Sequence, residues 1–558
     1  MKSLFLAIIF TVFAVFFTHA RELTSLSESH KFKQFGLVWG LMKYHHPLVS
    51  KGKYNWSEAF VKNVEKLERI KTQEALNLFL LNFINSIKPS KIKISNDFDG
   101  LFTKNYDYDW ISKFPATSEL YKKLNALKLN TNISDYYVSI GTLSIIPTFE
   151  NEKGLEKFDV SIKSHRLLTL FSFWNAIQYF DVNKYLMDTD WEDTLDTLIP
   201  KFLICESELK YERLKAELVR ALDDSHALYL NQKLLDSLFK YKPSFATNLV
   251  NDTLVVVATF DQNAEDYNKI KLGDKIVKIE GKSINRTILE NLSPYISASN
   301  YSYLKRFSNW ILRGQSDSLK ITIARNDSLF SKCLPRYKDL PNTNQKVLSR
   351  DAPKKKWQFI EDDIGYINLR SISKQEIKTA FSSFTQTKGI IIDLRKTPSN
   401  LLLNELTRYL YPKRKKFIRV LGPISNRPSL AKHVKSPLRL ISDPFKTGHK
   451  NRNFYRNKVI LLVNNNTMSQ SEYIGMAIQG SPNCLTVGKT TAGAVMNIAA
   501  FTLPDATQVN FTSLGAFYPD DTSAQRKGLK IDHYVNETTS NFLRDQYVLK
   551  GIELIKMK

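Results

Sequence analysis

Apolar positions recur along this chain with three different periods, and the changes of period divide it. Over roughly the first 230 residues the spacing is helical, as in Leu37, Leu41 and Tyr44 and again in Phe171, Trp174 and Ile177. Beyond residue 248 the runs shorten to strand length. Residues 254–258 are a β-branched run, 270–284 read as a turn, a strand and a hairpin turn, and 319–324 alternate as a final strand. After a connector containing three consecutive lysines (354–356), buried strands and helices alternate. Strand 364–369 is followed by helix 374–386, then strand 389–395 and a helix through Tyr409. The apolar run 459–463 ends in a polar corner, Asn464 to Ser469, which opens a helix over 470–479 and a strand closing on Val487-Gly488. Residues 496–503 and 508–513 read as strands and 540–556 as a C-terminal helix. Strands alternating with helices predict a parallel-rich α/β layer, with ligands at the carboxyl ends of its strands.

The helical part contains a repeat. Ser29-His30, Trp39, Tyr44 and Trp56 are matched by Ser164-His165, Trp174, Tyr179 and Trp191, each 135 residues later. A constant offset over such anchors implies one structural unit used twice, over 21–150 and 151–235. The copies diverge at their ends, where Asp224-Ser225-His226 closes the second and Ser90-Lys91 stands at the matching place in the first. A histidine just past a helix, after two acids and a serine, has the makings of a general base.

Composition narrows the setting. Residues 1–20 combine one lysine, an apolar run and a Thr18-His19-Ala20 end, the form of a secretory signal peptide cleaved after Ala20. No other stretch is long and apolar enough to span a membrane. The net charge of +25 would suggest nucleic acid in a cytosolic protein; export redirects it to an anionic envelope surface or acidic substrates, with no nucleic-acid partner. Over 413–458 there are 14 Lys/Arg against one acid, more than half of that excess, reading as a solvated strap or an electropositive rim. Cys205, Cys333 and Cys484 are too few for a disulfide framework, and each sits among apolar residues as a core position would. The scattered histidines offer no zinc spacing, so neither metal nor cofactor is expected.

In chain order, Asp224-Ser225-His226, the Gly273-Asp274 turn before Ile276-x-x-Ile279-x-Gly281, Asp393-Leu-Arg395, Thr467-x-Ser469-x-Ser471-Glu472, and Val487-Gly488 with Thr491-x-Gly493 resemble the C-terminal processing (tail-specific) serine peptidase family. The resemblance is to its tricorn-like branch and covers about 151–535; Gln525-x-x-Gly528 with Asp532 is a weaker sixth match. It implies a multidomain α/β fold: helical N-terminal units, a PDZ-like β domain (248–330), a mixed α/β, crotonase-like peptidase core (357–535) and a C-terminal helix (536–558). It implies an exported, periplasmic or extracellular serine endopeptidase acting on peptide or protein substrates. Ser469 matches the family nucleophile and His226 its base, with Ser225 and Gln525 orienting the histidine. Gln470 and the Ser399-Asn400 loop stand at the oxyanion positions, and Leu272, Gly273 and Asp274 at the PDZ peptide-binding turn. Two positions depart from the pattern. Gln525 occupies the carboxylate position, and 396–400 lacks the paired glycines of the family loop. The alternative they leave open is a catalytically inactive PDZ-containing peptide-binding protein on the same fold. Ala494 and Lys489 stand near the place of the lysine in the Ser–Lys branch, and neither supplies that dyad.

Overall fold

The computed structural model describes residues 26–141, 145–260, 270–340, 346–348, 352–353, 355–436 and 443–557; the expected signal peptide lies outside them. Among the described residues no helix is long and apolar enough to cross a membrane.

The helical region opens with α1 (Glu28–His45), α2 (Trp56–Glu68) and α3 (Gln73–Asn85). It continues with α4 (Lys163–Phe180), α5 (Asp193–Leu203) and α6 (Glu208–Arg220). Helices α1 and α4 match at both ends under the 135-residue offset, as do α3 and α6. Each triplet is locked by the same device. Trp39 and Trp56 each donate the indole N–H to the other's main-chain carbonyl at 3.0 Å. Trp174 and Trp191 do the same at 2.9 and 3.1 Å. Such buried indoles satisfy their one polar group while filling the core. The two units meet through equivalent positions. Gly36 faces Phe171 and Gly40 faces Asn175, so closely that a methyl group on either glycine would overlap its partner. Contact between equivalent positions is the mark of an isologous interface, here folded into one chain.

Next comes an antiparallel sheet, β1 (Phe245–Val250), β2 (Thr253–Thr259), β3 (Lys275–Ile279), β4 (Ser318–Arg325) and β5 (Ser328–Pro335), ordered β1-β2-β3-β4-β5 with helix α7 (Ile284–Leu292) beside it. The sequence reading ended this domain one strand early. Asn326 and Asp327 both take positive φ, 46° and 61°, the two-residue turn that joins strands of right-handed twist, and β5 follows. Cys333 lies on that strand and is exposed, unlike buried Cys205; among the described residues β5 pairs only with β4.

The core sheet comprises β6 (Trp357–Ile360), β7 (Ile364–Asn368), β8 (Gly389–Asp393), β9 (Lys458–Val463), β10 (Cys484–Gly488) and, after the hairpin β11 (Ile498–Thr502) and β12 (Gln508–Thr512), β13 (His533–Tyr534). Its order is β6-β7-β8-β9-β10-β13, parallel except for the β6–β7 pair. Ile390, Ile392, Leu461 and Val463 pack toward α8 (Lys374–Ser383), α9 (Leu403–Leu410) and α10 (Gln470–Gln479). The intervening Ile391, Ile460 and Leu462 pack toward α11 (Gln546–Lys556). Burial on both faces explains why these strands read as unbroken apolar runs. Helix α11 starts six residues later than the sequence pattern suggests, because Asp545 caps it and also binds Arg395.

The β11–β12 hairpin ties the layers together. Its apolar side, with Ala499, Phe501, Val509 and Phe511, belongs to the core of the helical units, Phe501 meeting Phe149 and Phe173 at 5.6 Å. At its tip Asp505 and Thr507 receive the buried Lys215 ammonium of α6 at 2.5 and 3.0 Å. Removing one partner of a buried pair strands the other charge, at a cost of about 3–5 kcal/mol. Lys215→Met should therefore lower unfolding stability by about 3 kcal/mol and raise amide hydrogen exchange across 498–512, measured by mass spectrometry.

Candidate active site

Ser469 stands at the turn from β9 into α10 with φ 55° and ψ −119°. A non-glycine residue in this region costs about 1–3 kcal/mol, and such strain concentrates at functional sites. The turn is held from several sides. The Ser469 N–H donates to the Ala494 carbonyl at 2.9 Å and to Glu472 Oε2 at 3.2 Å. Buried Thr467 donates its hydroxyl to the Leu394 carbonyl at the end of β8 (3.0 Å). Gln470 is the first residue of α10, so its N–H belongs to the first turn, where no intrahelical acceptor exists.

Glu472 is more than an acid placed for the helix dipole. It is fully buried and accepts from Thr491 Oγ1, the Gly493 N–H (2.8 Å) and the Ala494 N–H (3.0 Å). Burial pushes its carboxyl up to about 7, against the pull of these donors. Residues 491–494 thus form a loop fastened to the serine turn, and the Ala492 N–H adds a bond to the Thr467 carbonyl (3.0 Å). Gly493 sits at φ +70°, where an added methyl would lie 2.5 Å from the Arg526 carbonyl oxygen. Gly493→Ala should destabilise the protein by about 2 kcal/mol and lower turnover with it, as read by denaturant unfolding and peptide assay.

The histidine motif reaches the same loop. Ser225 Oγ donates to the Ala492 carbonyl at 2.8 Å and accepts the Ser299 N–H at 2.9 Å. The serine turn and the Ser225-His226 motif are therefore hydrogen-bonded to one four-residue segment, although 243 positions separate Ser469 from His226 in the sequence. The imidazole of His226 is partly buried, and its Nδ1 lies 2.8 Å from Thr512 Oγ1 at the end of β12. Thr512 donates its hydroxyl to Asp224 Oδ1 (2.7 Å) and its N–H to Oδ2 (2.6 Å), and the His226 N–H adds a bond to Oδ1 (3.1 Å). Burial lowers the imidazole pKa from its ordinary value, with the Asp224 charge pulling the other way.

Other sequence-derived positions fall elsewhere. The Ser225 hydroxyl is taken by main chain, and Gln525 Oε1 accepts the Val495 N–H at 3.2 Å, so the hydrogen bond to the His226 ring comes from Thr512. Ser399 donates its N–H to the Arg370 carbonyl (2.9 Å), which removes that donor from an oxyanion site; Asn400 beside it is exposed. Leu272, Gly273 and Asp274 form a turn in which Asp274 accepts Arg325 Nε at 2.6 Å and the Lys271 N–H at 2.8 Å. None of the three lines the cavity of about 540 Å³ that opens between the edge strand β1 and the core, lined by Thr247, Leu249, Tyr301, Lys305, Asn464 and Lys489. The Asn309 carboxamide pairs with both the N–H and the carbonyl of Thr247, at 2.9 and 2.8 Å, as an added strand would. Lys489 is held by Glu537 at 3.0 Å, and Ala494 is buried. In the basic segment Arg427, Arg414 and Lys458 bond main-chain carbonyls and Arg419 pairs with Asp521. Asp393 and Arg395 lock to each other and to Tyr366 and Asp545. Among the described residues no group of three or more His, Cys, Asp or Glu is placed to hold a metal ion.

A strained serine between a buried parallel strand and a helix, with a histidine motif fastened to the adjoining loop, is an arrangement compatible with an α/β serine-type peptidase. The model of peptidase family S41 matches residues 363–535, the segment that carries the core sheet and the Ser469 turn. No curated protein matches the chain. Among solved structures the fold is similar to that of mature CPAF, with TM-score 0.54 and 12% identity over 71% of this chain and 97% of that one. The photosystem II D1 C-terminal processing protease aligns with TM-score 0.35 and 16% identity over 67% and 93% of the two chains. The tricorn protease aligns with TM-score 0.33 and 14% identity over 71% and 37%.

Proposed function

We propose that this chain is an exported serine endopeptidase in which Ser469 attacks the peptide carbonyl and His226 first accepts and then returns the proton. The observation that carries this reading is the backbone of Ser469. No packing need of a surface turn calls for a serine at φ 55°, whereas a nucleophile presented above a sheet gains access from it. The Gln470 N–H supplies the main oxyanion donor and the Asn400 end of the 396–400 loop the second. The domain over 245–335 acts as a PDZ-like module. Its open edge lies at Leu249, since Asn309 already caps Thr247. Exposed lysines of 413–458 favour acidic peptides or an anionic envelope surface.

The test is hydrolysis of an unfolded protein such as casein by the mature chain, with and without a fluorophosphonate. Cleavage that the inhibitor abolishes is the expected result. A folded chain that binds peptides and cleaves none would mark it instead as a peptide-binding protein.

A further inference from the structure

The resemblance assigns the support of His226 to Ser225 and Gln525, but the Ser225 hydroxyl binds main chain and Gln525 Oε1 accepts the Val495 N–H. We infer that the positioning residues are Thr512 and Asp224, acting in series. This inference rests on the reading of His226 as the base.

The argument follows the protons. A threonine hydroxyl has one hydrogen, and the Asp224 carboxylate, which can only accept, takes it at Oδ1, 2.7 Å away. The oxygen facing the imidazole at 2.8 Å is then an acceptor, so Nδ1 of His226 must carry the ring hydrogen. That fixes the tautomer in which Nε2 has a free lone pair, the form required to take a proton from Ser469 Oγ. When it does, the imidazolium keeps its Nδ1–H on Thr512, and Asp224 one bond further on supplies the negative charge. Asp224 is itself held ready. It is buried, it accepts the main-chain N–H groups of both Thr512 and His226, and its own N–H donates to Ser297 Oγ at 2.9 Å. A bridging hydroxyl thus does what a direct carboxylate does in a Ser-His-Asp triad. The neutral Gln525 is no deficiency, because the charge comes from the residue two before the histidine.

The arrangement also gives the helical units a task. Thr512 ends the hairpin whose apolar side they grip, and Asp224 and His226 follow α6, whose Lys215 pins the hairpin tip. The distance between Thr512 and His226 is therefore set by the clasp of α6 on β11–β12.

The test combines kinetics with the state of the ring. Thr512→Val keeps the shape and the N–H and removes the hydroxyl. It should lower kcat about 10- to 100-fold with KM nearly unchanged, while Thr512→Ser should restore most of the rate. Asp224→Asn removes the charge that raises the imidazole pKa, so the acid limb of kcat/KM should move to lower pH. In unaltered protein labelled with ¹⁵N-histidine, and assigned by a His226→Gln control, the ring should be the Nδ1–H tautomer. This measurement needs no activity, and it holds whether or not Ser469 is the nucleophile. An Nε2–H ring in the unaltered protein, or wild-type kcat in Thr512→Val, would overturn the assignment.

Discussion

Ser469→Ala should abolish peptide-bond hydrolysis, with kcat falling by more than about 10³-fold and substrate binding retained. The hydroxyl is the only group the substitution removes, and no neighbour replaces it. Thr467 is buried with its hydroxyl on the Leu394 carbonyl, and position 494, where another branch of the family carries its lysine, is an alanine. A sharper form of the prediction uses glycine. Glycine adopts φ near +55° without penalty, whereas serine there costs about 1–3 kcal/mol. Ser469→Gly should therefore be inactive and yet more stable than the wild type by about 1 kcal/mol, read from denaturant midpoints. Loss of activity with a gain in stability is the signature of strain kept for function. A Ser469→Gly variant that is less stable, or a Ser469→Ala variant that still turns over, would remove the serine from the mechanism.

The second large effect concerns His226. A general base contributes about 10²–10⁴-fold, so His226→Ala should lose most of the activity that Ser469→Ala loses, without adding to it in the double variant. The pH dependence has a definite sign. The imidazole must be neutral to accept a proton, and burial lowers its pKa below the ordinary 6.5, so activity appears as pH rises through a value below 6.5. kcat/KM should accordingly be flat from neutral pH upward until another group titrates, with its acid limb below pH 6.5. Asp224 alone would move the limb up; the larger influence of burial sets the net direction. An acid limb above 6.5 would mean that the charge outweighs the burial, or that another group is the base.

Much of this could be read from the chain and some of it could not, for identifiable reasons. Trp39, Trp56, Trp174 and Trp191 announce their repeat because each must satisfy one indole N–H in the same way, which fixes residue type and spacing together. Burial on both faces likewise made β8 and β9 legible as unbroken apolar runs. Strand β5 escaped because its pattern is mostly exposed, and the Asn326-Asp327 turn was its only signal. Thr512 was invisible. It lies 286 positions from His226, belongs to no motif, and has a role only because the hairpin is clasped by α6. Gly273 and Asp274 read as a turn from their residue types, whereas the Arg325–Asp274 pair that holds the turn joins positions 51 apart and has no local signal. Backbone strain at Ser469 is likewise a property of the surrounding bonds, and no residue type announces it.

The measurement that bears most directly on the account is the site of covalent labelling by a fluorophosphonate, mapped by peptide mass spectrometry on the mature chain. The account predicts a single adduct on Ser469, formed at a rate that falls at least about 100-fold in His226→Ala and is restored by no change of pH. An adduct on a different residue, or hydrolysis that proceeds with Ser469 unmodified, would contradict it.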